Sequence, residues 1–235
     1  MDKVTVVSGG TKGIGKAIVR RFASEGFSVI TCSRNREDLN SLEKEIRSEF
    51  GTEIFCMQAD LSQKEEVSNF VKFIMSTGLD PEILVNNSGV FVPGQIHSEK
   101  EGVLESQISI NLYSAYHLTR GLIHGMIRKR RGHIFNICST ASITAYVNGG
   151  AYCISKYALY GMTKVLREEM KEHNIRVTAV LPGATLTASW EGVNLPPERF
   201  IRPEDVAELI YSAWHISPSA VVEDLLVRPQ LGDIG

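Results

Sequence analysis

Along the 235 residues, short apolar runs rich in β-branched side chains alternate with longer stretches whose apolar positions recur every three to four residues. Runs of the first kind fall at 4–8, 28–32, 53–58, 83–86, 133–138, 176–181 and 225–227. The first six are nearly continuous in apolar character, as strands buried on both faces of a parallel sheet must be. Stretches of the second kind span 15–25, 36–50, 64–76, 101–128 and 151–173. Their period is that of helices with one buried face. This alternation predicts a doubly wound α/β fold: a seven-stranded, parallel, Rossmann-type sheet between two helical layers, with right-handed crossovers. No repeat, low-complexity tract or linker divides the chain, so a single domain over 1–235 is expected. Such sheets bind ligands beyond the carboxyl ends of their strands, so the chemistry is sought just after each strand.

Composition narrows the classes. Apolar residues make up 43% and charged residues 22%, which excludes disordered and fibrous chains. A net charge of −2 gives no electrostatic reason to expect a nucleic-acid or membrane-surface partner. The basic run Arg128-Lys129-Arg130-Arg131 follows a helical stretch and reads as a complement to the negative end of its dipole. Four scattered cysteines, Cys32, Cys56, Cys138 and Cys153, form no Cys-x-x-Cys pair. They argue against a zinc site or disulfide scaffold and suit a reducing compartment. The N-terminus runs straight into a strand, and no span of about 18 apolar residues occurs, so a cytoplasmic protein without a metal is expected. The Pro- and Gly-bearing stretch 188–201 is either a substrate loop or a solvated connector.

After the first strand comes Ser8-Gly9-Gly10-Thr11-Lys12-Gly13-Ile14-Gly15, then a helix. Glycines permit a tight turn and let backbone amides approach a pyrophosphate at the positive end of the helix. The spacing Gly9-x-x-x-Gly13-x-Gly15 is neither the Gly-x-Gly-x-x-Gly of longer dehydrogenases nor a Walker loop. Its position in the first βα unit favours dinucleotide binding over a purely structural turn. At the end of the second strand an NAD-selective site places an acidic residue. Here Ser33 and Arg34 stand instead, with no carboxylate before Glu37. A hydroxyl and a guanidinium suit a dianionic 2′-phosphate, and Lys12 is within reach of the same group. NADP(H) is the favoured cofactor.

Tyr152 and Lys156 lie four residues apart on the helix 151–173 and share one face. A phenol with a pKa of about 10 is a poor acid–base catalyst at neutral pH, and a nearby ammonium lowers that value. The pair alone arises often by chance. Its context is stronger: Ser139-Thr140, Asn86-Asn87-Ser88-Gly89 and Pro182-Gly183-Ala184-Thr185-Leu186-Thr187 all follow strands at the ligand-binding edge.

In this order and spacing, the glycine loop, Asp60-Leu61, Asn86-Asn87-Ser88-Gly89, Asn111, Ser139, Tyr152/Lys156, Pro182-Gly183 with Thr187, and Arg202-Pro203-Glu204-Asp205-Val206-Ala207 resemble the short-chain dehydrogenase/reductase family over essentially the whole chain. The resemblance implies that Tyr152 exchanges a proton with the substrate oxygen and that Ser139 hydrogen-bonds that oxygen. It implies that Lys156 binds the nicotinamide ribose and lowers the tyrosine pKa, and that Asn111 holds a water linking Lys156 to solvent. Asp60 with Leu61 would contact the adenine, and Thr187 the carboxamide. Gly9, Thr11, Gly13, Ile14, Gly15, Asn87, Gly89, Pro182, Gly183 and Thr185 would line the cofactor groove. Ser8, Ser88 and Cys138 replace a usual threonine, alanine and serine without removing a catalytic group. Cys138 and Cys153 flank catalytic residues and are expected to be buried, inert thiols. The C-terminal stretch 227–232 resembles that of sepiapterin-reductase-like members, which weighs against fatty-acid reduction. The implied activity is NADPH-dependent reduction of a small-molecule carbonyl, or the reverse oxidation of an alcohol, by a homodimer or homotetramer. Reduction of 3-oxoacyl thioesters, oxidation of a sugar or hydroxy acid, and a non-catalytic NADP(H) sensor remain alternatives.

Overall fold

The computed structural model describes residues 3–190 and 192–234. Seven parallel strands form one sheet in the order β3-β2-β1-β4-β5-β6-β7. They are β1 Val4–Ser8, β2 Ser28–Ser33, β3 Ile54–Gln58, β4 Ile83–Asn86, β5 Gly132–Ile137, β6 Ile175–Pro182 and β7 Asp224–Val227. The strand order reverses between β1 and β4, so the chain leaving these two neighbours diverges and opens a crevice at their carboxyl ends.

Apolar residues form a core on each face of the sheet, with a smaller cluster of Ala115, Cys138, Leu159, Ala179 and Leu181 beside them, which makes the fold three-layered. On one face Phe22, Phe27, Ile83, Val85, Phe135 and Ile210 pack together beneath α1 (Gly13–Ala23), α2 (Arg36–Phe50) and α7 (Pro203–His215). On the other, Val6, Ile30, Phe70, Leu118, Leu122 and Ile134 pack beneath α3 (Lys64–Ser76), α5 (Ser114–Lys129) and α6 (Gly150–Met170). The helix ends follow local chemistry. Asn35 caps α2 by accepting from the amides of Glu37 and Asp38, and Gly51 ends it in the left-handed conformation. Pro203 opens α7, followed by Glu204 and Asp205 in its first turn.

The predicted helix 101–128 is not continuous. It divides into α4 (Val103–Ile108), a π-helical turn Ser109–Tyr113, and α5. Gln107 and Asn111 use their amides to bond the backbone of Val92 and Val90 in the segment after β4. A π-turn gives the wider helical spacing that lets both side chains reach across. The basic run terminates α5 as expected, with Arg130 in the left-handed cap position. Lys129 pairs with Asp80, Arg131 with Glu82, and Arg130 donates to the Glu172 carbonyl. No helix among the described residues is long and apolar enough to cross a membrane.

Candidate active site

The crevice at the β1/β4 switch point is a cavity of about 1080 Å³ that runs along the carboxyl edge of the sheet. Ser8, the last residue of β1, accepts from the amides of Asn87 and Ser88 at 2.9 Å each. Asn87 returns two bonds from Nδ2, to the carbonyls of Ser8 at 2.9 Å and Gly9 at 3.0 Å. This lattice holds the glycine loop against the end of β4. A Cβ at Gly15 would lie 2.2 Å from the Gly9 carbonyl oxygen, a backbone atom that cannot yield, so this position admits no side chain. Gly9 and Gly13 have φ of +69° and +51°, which bends the loop over the start of α1. Lys12 precedes α1 without a side-chain cap, and Gly13 and Ile14 line the cavity. The first amides of the helix are therefore uncapped by any side chain where an anion would sit.

At one end of the cavity Thr11 donates to the Ser33 hydroxyl at 3.0 Å, and Arg34 lies exposed at the lip. Lys12 points to the same lip but pairs with Asp38 at 3.0 Å, so its charge is partly engaged. Two cations and two hydroxyls, with the lining carboxylate Asp38 engaged by Lys12, fit a ribose bearing a 2′-phosphate. Asp60 lines the cavity between this end and the sheet while accepting from the Ser62 amide.

Ser139, Tyr152 and Lys156 converge at the other end. Ser139 follows β5 and forms a capping box with Ser142, its Oγ accepting from the Ala141 amide at 3.1 Å. That bond uses an oxygen lone pair and leaves the hydroxyl proton for Tyr152, whose ionised form it favours. Tyr152 and Lys156 extend from one face of α6, with Lys156 Nζ 5.8 Å from the Tyr152 ring centroid. Lys156 is buried and donates to the Ile137 carbonyl at 2.8 Å. Burial pushes its pKa down to about 8, against a small opposing pull from the Cys138 thiol. Tyr152 goes the other way: burial pushes its pKa up to about 12, and hydrogen bonding with Ser139 only partly offsets this. Cys153 and Cys138 add smaller upward pushes to the Tyr152 phenol.

Of the residues proposed for the cofactor groove, all but Gly15 line this cavity. Gly15 supports the loop from behind, beneath Gly9. Asn111 is buried behind the wall; its amide bonds the Val90 backbone in both directions and the Ser155 hydroxyl at 2.9 Å. Among the described residues of the proposed loop 188–201, Ala188, Ser189 and Trp190 reach the cavity; residue 191 lies outside the described residues. The loop is pinned at its base by the Thr185–Ile201 bridge and closed by the Trp190 and Phe200 rings, 5.3 Å apart. Sequence reasoning missed the rest of the mouth. Phe91 packs edge-to-face on Tyr152 at 4.8 Å, and Tyr146, Val147, Asn148, Asp233 and Ile234 complete the wall. No local pattern marks these residues, because segments far apart in the chain supply them. Cys138 and Cys153 are buried as expected, and burial raises both pKa values, that of Cys138 to about 11.

A glycine loop at the switch point, joined in one cavity to a serine–tyrosine–lysine set, is the arrangement of a dinucleotide-type α/β oxidoreductase. The chain belongs to the short-chain dehydrogenase family, whose profile matches residues 3–197. It is 31% identical to the sepiapterin reductase of Chlorobaculum tepidum, over 100% of this chain and 99% of that one. A metagenomic short-chain oxidoreductase solved in complex with NADP shares 32% identity, with 97% of each chain covered and a TM-score of 0.85. L-sorbose reductase from Gluconobacter frateurii, solved with NADPH and L-sorbose, shares 25% identity and a TM-score of 0.90, covering 97% of this chain and 95% of that one.

Proposed function

We propose that this protein is an NADP(H)-dependent reductase of uncharged carbonyl compounds, with Tyr152 as the proton donor. The observation that carries the reading is the convergence of Ser139, Tyr152 and Lys156 in the cavity that also holds the uncapped start of α1. NADP or NADPH in the related structures, together with Ser33 and Arg34 here, supports the choice of cofactor. When bound, the nicotinamide supplies or accepts the hydride. The chain's own residues do the rest. The amides of Gly13 and Ile14 and the Arg34 guanidinium hold anionic groups at one end. Ser139 turns its hydroxyl proton from Tyr152 to the substrate oxygen and opposes the charge that develops there. Tyr152, kept protonated by burial, delivers its proton to the same oxygen. Lys156 holds the ribose side and brings a positive charge to the back of the phenol.

The cavity favours a substrate class. Its cationic lining residues are Lys12 and Arg34 at the nucleotide end and Lys156 at the reacting centre. Phe91 packs on Tyr152, and Tyr146, Val147, Trp190 and Ile234 line the same cavity, with Asp233 paired to Arg228. A mouth rich in aromatic and aliphatic side chains, with Arg228 engaged by Asp233 and Lys156 behind the phenol, suits flat or apolar neutral ketones and aldehydes. It disfavours phosphorylated sugars and other anions. The pinned segment 188–201 serves as a lip of this mouth. The exposed apolar side chains Tyr116 on α5 and Ile154, Tyr157 and Val165 on α6 support the homo-oligomer that the family resemblance implies.

The test is NADPH oxidation by purified protein across neutral diketones, quinones, aromatic aldehydes, a pterin ketone, a phosphorylated ketose and an acetoacetyl thioester. Tyr152→Phe serves as the control. Turnover confined to neutral carbonyls, lost at least a hundredfold in the variant while NADPH still binds, is the expected outcome. Turnover that survives the substitution would refute the role of Tyr152.

A further inference from the structure

The catalytic helix α6 has no cap of its own. Gly149, which precedes it, makes no side-chain bond, and the amides of its first turn would otherwise depend on solvent. The side chain that bonds this turn comes from far away in sequence: Glu99 Oε1 accepts from the Ala151 amide at 2.9 Å. Ala151 immediately precedes Tyr152. Two glycines make room for the carboxylate. A Cβ at Gly150 would lie 2.0 Å from Glu99 Oε1, and one at Gly94 would lie 2.7 Å from Glu99 Cγ. Glu99 is itself held by a turn in which its amide donates to the Gln95 carbonyl at 2.9 Å.

Around this contact two segments are joined. The Gly94 amide donates to the Asn148 carbonyl at 3.0 Å, and Gln95 Nε2 donates to Asn148 Oδ1 at 2.9 Å. The first segment carries Phe91, whose ring packs on Tyr152, and the second carries Tyr146, Val147 and Asn148. Both lead into the wall around the reacting centre. We infer that Glu99 is a positioning residue: by capping α6 across the mouth, it sets the placement of Tyr152 and the spacing of the two walls that receive the substrate. This inference rests on the reductase reading above for its catalytic consequence, but the capping itself does not.

The experiment compares wild type, Glu99→Ala and Glu99→Gln by backbone amide exchange and by steady-state kinetics. The glutamine keeps an oxygen that accepts from the Ala151 amide, whereas alanine has none. In Glu99→Ala, exchange is expected to accelerate about tenfold or more in both 90–100 and 144–153. Its kcat should fall about tenfold, since small misplacements of a catalytic group carry losses of that order. The Kd for NADPH, read at the far end of the cavity, should stay within about twofold. Glu99→Gln should restore both exchange and kcat to within about threefold of wild type. Unchanged exchange at 144–153 in Glu99→Ala would overturn the inference, as would a fall in kcat that glutamine does not rescue. So would equal losses in kcat and NADPH affinity, the mark of a general structural role. Because exchange needs no turnover, a wild type that reduces no carbonyl would count against the reductase reading and leave the capping test intact.

Discussion

Replacing Lys156 by methionine should make the protein more stable and inactive at once. Its ammonium is buried, and its pKa falls from 10.5 to about 8, with desolvation as the leading cause. At about 1.4 kcal/mol per pH unit, that fall corresponds to about 3 kcal/mol by which the charged form is disfavoured in the folded protein. Methionine has a similar volume and carries no charge into the core. The substitution gives up the bond to the Ile137 carbonyl, worth about 1 kcal/mol net. About 2 kcal/mol of stabilisation therefore remains near neutral pH, or about 4–8 °C in Tm for a chain of this size. The pH dependence separates this cause from better packing. Between about pH 8 and 10.5 the unfolded chain keeps its proton on Lys156 while the folded chain sheds it. The cost is thus full below about pH 8, shrinks above it and vanishes past 10.5. Urea unfolding of the cofactor-free wild type and Lys156→Met at pH 7, 9 and 10.5 measures it. A variant less stable than wild type at pH 7, or an advantage that does not shrink with rising pH, would refute the reasoning.

Other outcomes follow from the same geometry. Arg34→Ala removes the guanidinium at the lip and should weaken NADPH binding about tenfold or more while leaving NADH binding unchanged, as read by titration of cofactor fluorescence. Equal effects on both cofactors would place Arg34 away from the 2′-phosphate. Gly15→Ala puts a Cβ 2.2 Å from the Gly9 carbonyl oxygen and 2.4 Å from Asn87 Nδ2, so the loop must move. NADPH affinity should drop more than tenfold, and an unchanged Kd would contradict the close packing. His133 is fully buried, with Nε2 bonded to Thr178 and Nδ1 unpartnered, and burial holds its pKa well below 6.5. Below pH 6.5 the unfolded chain takes up a proton that the folded chain refuses, so stability falls as pH falls. From pH 6.5 to 5.5 the wild type should lose about 1 kcal/mol more than His133→Gln, measured by urea unfolding at both values. Equal losses would show that His133 titrates normally in the fold.

Much of the site was legible because it depends on short stretches of chain. The glycine loop is a single turn whose needs (positive φ, no Cβ, a helix start) are met by residues within a few positions of one another. The pairing of Tyr152 with Lys156 follows from helical spacing alone. The absence of a carboxylate at the end of β2 is a statement about one position.

Other features depend on what lies across the fold. The stretch 101–128 has a continuous helical period, yet it bends into a π-turn because Gln107 and Asn111 bond backbone in the segment after β4. Nothing in the local pattern reports that demand. The same holds for Glu99, an unremarkable acidic residue in sequence, whose role exists only because the fold sets it against the first turn of α6.

By itself, then, the sequence determined the layered fold, the place of the crevice and the identity of the groups that meet there, since periodicity and turn chemistry act over a few residues. Only the tertiary structure decided how those groups behave. It assembled the mouth from segments around residues 91, 146, 190 and 234. It also drove the pKa of Tyr152 up and that of Lys156 down. Desolvation depends on every atom that excludes water from a site, and those atoms come from the whole chain.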